Sequence, residues 1–109
     1  MRKIERQMLQ AIVDDRSHWS KDNTRVELKD GIHSVWLHGH RIAEYEGKTS
    51  KLWINNCGYE TVTTKSRLNV LIDFVLGGIG NGIYQKNWNW FLTRNGVDED
   101  FPSNEWVAL

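Results

Sequence analysis

Thr24-Arg-Val-Glu-Leu-Lys-Asp-Gly-Ile-His-Ser-Val-Trp-Leu-His-Gly-His-Arg41 is the stretch that decides the fold. Its first six residues alternate, with Val26 and Leu28 on one side and Arg25, Glu27 and Lys29 on the other, as a strand with one buried face requires. Asp30-Gly31 follows, and both residues tolerate the positive φ of a type I′ hairpin turn. A second strand is expected over residues 32–38, then a type II′ turn at Gly39-His40 into a third strand over 41–45. Downstream, residues 47–50 read as a loop and 51–55 as another strand. Asn56-Cys57-Gly58 then turns the chain into a short strand over 59–62. Every connection is too short for a parallel crossover, so the strands form an antiparallel meander.

Working outward, two helices flank the meander. Ile4, Met8, Ala11 and Ile12 fall at the spacing of one apolar helical stripe. Arg2 and Lys3 lead that helix while Asp14 and Asp15 close it, against the macrodipole, so packing must hold it. The second helix carries Leu68, Leu71, Ile72, Val75 and Leu76 on one stripe, capped by Thr63 or Thr64 and ended by Gly77-Gly78. Beyond it, strands over 83–85 and 88–94 are joined through Lys86-Asn87 as a hairpin, and Asn95-Gly96 marks another turn. The expected fold is therefore α+β: N-terminal helix, antiparallel β-meander, second helix and C-terminal β-hairpin, with a single sheet packed against the helices. The 109 residues make one domain, 1–109.

Composition narrows the function classes. Fourteen basic and fourteen acidic residues cancel, so the chain is neither an acidic nucleic-acid mimic nor a strongly basic coat. A single cysteine, Cys57, excludes an internal disulfide and fits a reducing compartment. The longest apolar run, 70–76, is broken by Asp73 and too short to span a bilayer. With no apolar segment after Met1-Arg-Lys to act as a signal, a cytoplasmic location is expected.

Catalytic and metal motifs fail on context. Gly47-Lys48-Thr49 imitates the end of a phosphate-binding P-loop, but that motif needs a glycine where Ile42 stands, and a strand-to-helix junction. The glycines of Gly78-Ile-Gly-Asn-Gly82 follow a helix and precede a strand, the reverse of a dinucleotide fingerprint. His38 and His40 are spaced as two ligands, yet Gly39 turns the chain between them, and a metal site needs three or four. Cys57 lacks a helix N-terminus or neighbouring cation to activate it. No enzyme activity, cofactor or metal is expected.

One positive feature remains. The second helix opens Thr63-Thr-Lys-Ser-Arg67, and helix N-termini present unpaired amides and partial positive charge. Thr64, Lys65, Ser66 and Arg67 could hold an anion such as phosphate; equally, the hydroxyls could only cap the helix. Trp88 and Trp90 share one strand face between Lys86 and Arg94, a pattern on which single-stranded nucleic acid stacks. The same tryptophans, with Leu92, would also make an ordinary core face.

The blocks His38-Gly-His-Arg-Ile-Ala43, Thr61-Val-Thr-Thr-Lys-Ser-Arg-Leu-Asn69 and Tyr84-Gln-Lys-Asn-Trp-Asn-Trp-Phe-Leu92 resemble a group of short proteins encoded by tailed bacteriophages. The resemblance covers about the middle half of the chain. It implies an accessory protein acting in the host cytoplasm, and it implies no activity or catalytic residue. Two functional expectations follow. One is a nucleic-acid-binding module using Thr64, Lys65, Ser66, Arg67, Lys86, Trp88 and Trp90. The other is an inhibitor that binds a host protein or defence complex through exposed aromatics.

Overall fold

The computed structural model describes all 109 residues. Helix α1 (Lys3–Val13) leads into strands β1 (His18–Lys21), β2 (Thr24–Lys29), β3 (Ile32–Leu37), β4 (His40–Glu46) and β5 (Lys51–Ile54). Helix α2 (Val62–Leu76) is followed by β6 (Gly82–Lys86), β7 (Asn89–Arg94), β8 (Val97–Asp100) and β9 (Val107–Ala108). The class is α+β, as expected, and all strand pairings are antiparallel. The strands divide between two sheets rather than one, however: β1-β2-β3-β4-β5-β9 and β6-β7-β8. The second sheet joins the first through α2 instead of by strand pairing. The Asn69 amide donates to the Ile83 carbonyl at 2.9 Å and accepts the Ile83 N–H at 2.6 Å, clamping α2 to β6.

The meander forms where the alternation placed it. Asp30 and Gly31 both have positive φ, as the type I′ turn requires. The next turn falls one residue early, at His38-Gly39, and His40 already belongs to β4. Histidine is among the residues that tolerate the left-handed region, so His-Gly serves here as Asp-Gly does before it. Val35 pairs with Ala43 and Trp36 with Arg41, so Ile42 is the extra residue of a bulge, and Ile42 and Ala43 are both buried.

No strand forms over 59–62. The Asn55 and Asn56 side chains accept the Cys57 and Gly58 N–H groups, curling the chain. Thr61, rather than Thr63 or Thr64, caps α2, its hydroxyl accepting the Thr64 N–H at 3.1 Å. Three strands lacked a sequence signal. β1 has one buried residue, Trp19, β8 has none, and β9 is two residues that close the sheet beside β5.

The core lies between the inner face of the large sheet and the two helices. Met8, Ala11 and Ile12 meet Val26, Val35, Leu37, Leu52 and Ile54 there, and Leu68, Leu71 and Ile72 complete it. Ile83, Trp90, Leu92 and Phe101 extend it under the small sheet. Burial of this apolar surface, at about 25 cal/mol per Å², is what holds α1 against its unfavourable end charges.

Candidate functional site

The residues expected to form an anion site are mostly committed to the interior. Arg67 is 2 % exposed and its Nη1 donates to Glu5 Oε2 at 2.8 Å, while Glu5 itself is 1 % exposed. Arg67 Nε donates to the Thr24 hydroxyl and Nη2 to the Asn23 side chain. Ser66 donates to the same Glu5 oxygen, and Thr64 is buried behind the Thr61 cap. Arg67 and Ser66 therefore tie α2 to α1 and β2, and are not available to phosphate. The physical reason is the stripe: Arg67 stands four residues before Leu71, on the side of α2 that faces the core. Lys65 and Ser66 keep partial exposure, and of the two only Lys65 is uncommitted, since Ser66 is held by Glu5.

The tryptophan pair separates as well. Asn87 and Trp88, not Lys86-Asn87, make the β6–β7 turn, both with positive φ. That turn lifts Trp88 out of the strand, where it is 89 % exposed, while Trp90 is buried against Phe101 with ring centroids 6.3 Å apart. Lys86 is exposed at the end of β6. The structure thus brings no stacking platform together from Trp88 and Trp90.

A different aromatic surface is present on the outer face of the large sheet. Arg25, Trp36 and Arg41 occupy one cross-strand row over β2, β3 and β4. The Arg25 guanidinium lies 4.5 Å from the Trp36 ring centroid. Arg41 sits between two rings, 5.7 Å from Trp36 and 5.6 Å from Trp106. Each such contact contributes about 0.5–1 kcal/mol at an exposed site, enough to hold the long arginine side chains in place. Arg25 also pairs with Glu27 and Arg41 with Glu44, both at 3.3 Å. In the adjacent row, Glu44 lies across from Trp53. The result is a rigid, mixed-charge face centred on Trp36, with Trp106 at its edge 42 % exposed.

Parity could have found this surface. Trp36 shares its phase with Ser34 and opposes the buried His33, Val35 and Leu37; Trp53 likewise opposes Leu52 and Ile54. The contribution of Trp106 had no local signal, since it arrives with the returning C-terminus.

A separate groove of about 470 Å³ runs between the end of α1, the β2–β3 turn and α2. His33 lies in its wall, 2 % exposed, with neither ring nitrogen hydrogen-bonded and Nε2 3.6 Å from Asp15 Oδ1. Burial pushes the imidazole below its ordinary pKa, and the Asp15 charge only partly opposes this. Burial also raises the Cys57 thiol, which donates to the Arg41 carbonyl at 3.1 Å and is not an activated nucleophile. No three His, Cys, Asp or Glu side chains converge, and no helix is long and apolar enough to cross a membrane.

Residues 1–108 match the model of a family described as Kyanoviridae Gp96 protein. No curated protein and no solved structure matches the chain.

Proposed function

The chain belongs to the Kyanoviridae Gp96 family, a phage protein family, and on that premise we propose that it is a non-catalytic binding protein of the infected host's cytoplasm. Its contact surface is the outer face of the large sheet, and its partner is a host protein. The observation that carries this reading is the Arg25–Trp36–Arg41–Trp106 stack. Trp and Arg are the side chains that dominate binding energy at protein interfaces, and here they are already ordered, so little entropy is lost on docking.

Nucleic acid fits this face less well. Phosphate contacts need free cations, whereas Arg25 and Arg41 are each matched by a carboxylate, and Glu27 and Glu44 would repel a phosphate backbone. Of the exposed lysines, Lys21, Lys29, Lys51 and Lys86 stand at the ends of β1, β2, β5 and β6, and none of them belongs to this row. An inhibitor of a host enzyme or defence complex is the corresponding biological role.

The test is a pull-down from nuclease-treated host lysate with the wild-type protein and with Arg41→Glu and Trp106→Ala. Retention of a discrete partner by wild type, and its loss in both variants while they remain cooperatively folded, is the expected result. Partners that vanish with nuclease would overturn the reading, as would salt-sensitive quenching of tryptophan fluorescence by oligonucleotides that Arg41→Glu abolishes. Either would make the face a nucleic-acid surface.

A further inference from the structure

The N-terminal end of α2 opens on a second cavity, distinct from the sheet face and independent of its role. It measures about 260 Å³ and is walled by His38, His40, Asn56, Tyr59, Thr63 and Thr64, with Leu37 and Ile42 as an apolar side. The His40 and Tyr59 rings pack with centroids 4.4 Å apart. Every polar side chain of this wall can donate a hydrogen bond, and no carboxylate is among them.

Two independent features point to a ligand. Val62 and Thr63 occupy the first two positions of the 15-residue α2, so their N–H groups have no intrahelical acceptor, and the helix end carries partial positive charge. The Thr61 hydroxyl is already used on the Thr64 N–H and leaves those two amides free. Second, Asn56 is completely buried, and its Oδ1 is taken by the Gly58 and Asn104 amides at 2.9 Å each. Its Nδ2 has no partner. A buried amide donor without an acceptor is destabilising, and an acceptor-rich group in the cavity would relieve it.

We propose that this cavity binds the phosphate group of a small phosphomonoester. The oxyanion receives hydrogen bonds from the α2 amides, the Thr63 hydroxyl and Asn56 Nδ2, and the organic part lies against the His40–Tyr59 rings and the Leu37–Ile42 wall. The partial positive charge of the helix end, its free N–H groups and the unpartnered Asn56 Nδ2 favour an anionic acceptor such as phosphate over a cation.

The experiment is a titration of the full-length protein with inorganic phosphate and with adenosine monophosphate, read by calorimetry and by amide chemical shifts. The variants are Asn56→Asp and His40→Gln. Asn56→Asp keeps the oxygen that accepts the Gly58 and Asn104 amides but replaces the donor with a second acceptor. Saturable binding with shifts at Thr63, weakened by about tenfold or more in Asn56→Asp and measurably in His40→Gln, is the expected result. Adenosine monophosphate binding more tightly than phosphate places the organic part on the aromatic wall. Equal affinity for both probes overturns that placement while leaving the phosphate seat. No saturable binding at millimolar ligand, or equal binding by the folded His40→Gln variant and wild type with no shift at Thr63, overturns the proposal.

Discussion

Arg67→Ala is expected to destabilise the protein severely while leaving its surface unchanged. The side chain makes three hydrogen-bonded contacts, to Glu5, Thr24 and Asn23, and is 2 % exposed. Truncation leaves the Glu5 carboxylate buried with only the Ser66 hydroxyl and the Arg2 amide as donors. Breaking one side of a buried ion pair costs about 3–5 kcal/mol, a large share of the roughly 5–15 kcal/mol that holds a domain folded. In urea, with a slope of about 2 kcal/mol/M, the midpoint should fall by about 2 M. Replacing both partners with apolar residues, Glu5→Leu with Arg67→Met, should recover much of the loss, because no charge then remains buried. Burial alone would raise the Glu5 carboxyl, but the hydrogen bonds from Ser66, Arg67 and Arg2 and the Arg67 charge outweigh it, and its pKa is lowered. The unfolded chain therefore takes up the proton first as pH falls. The Glu5 contribution is complete above about pH 4.5 and is lost as pH drops through the folded value. Urea unfolding of the two single variants and the double variant across that range measures all of this. An Arg67→Ala unfolding free energy within about 0.5 kcal/mol of wild type would refute the reasoning, since that is the behaviour of a surface residue.

Further outcomes follow from the same structure. His33 is buried with a lowered pKa, so the unfolded state binds the extra proton and stability declines as pH falls below about 6.5. His33→Leu should flatten that part of the urea-midpoint profile, and profiles that remain parallel would place the slope elsewhere. Asn69→Ala removes both hydrogen bonds to Ile83 and should cost about 1–3 kcal/mol. Hydrogen exchange should then speed up in β6–β8 more than in β2–β4; uniform loss of protection would contradict the clamp. Arg41→Glu removes two exposed cation–π contacts and one surface ion pair, about 1–3 kcal/mol in all, so the protein should stay folded yet lose partner capture. Loss of cooperative folding would make Arg41 a folding residue instead.

Local signals determined much of the chain. Alternation over Thr24–Lys29, the Asp30-Gly31 and Asn95-Gly96 turns, and the Leu68–Leu71–Ile72 stripe each required only near neighbours, and each appears where expected. Backbone sterics and side-chain period act over a few residues, so they are legible in a linear text. The trace of the buried ion pair was also present. Glu5 stands three residues before Met8 and Arg67 four before Leu71, each on its helix's buried stripe. Reading Arg67 as a base open to an anion missed that two opposite charges at core positions can satisfy one another.

Tertiary structure decided the rest. Whether Trp88 or Trp90 faces solvent depended on a one-residue shift of the hairpin turn, and that shift is set by how β6 and β7 pair and dock on α2. The strands β1 and β9 exist because an edge was there to receive them, their own four and two residues carrying almost no pattern. The Trp36 face needed Arg25, Arg41 and Trp106 from three separate segments. Sequence determined which residues could form helix, strand and turn; long-range packing decided which charges and aromatics were left for a partner, because burial belongs to contacts between distant segments.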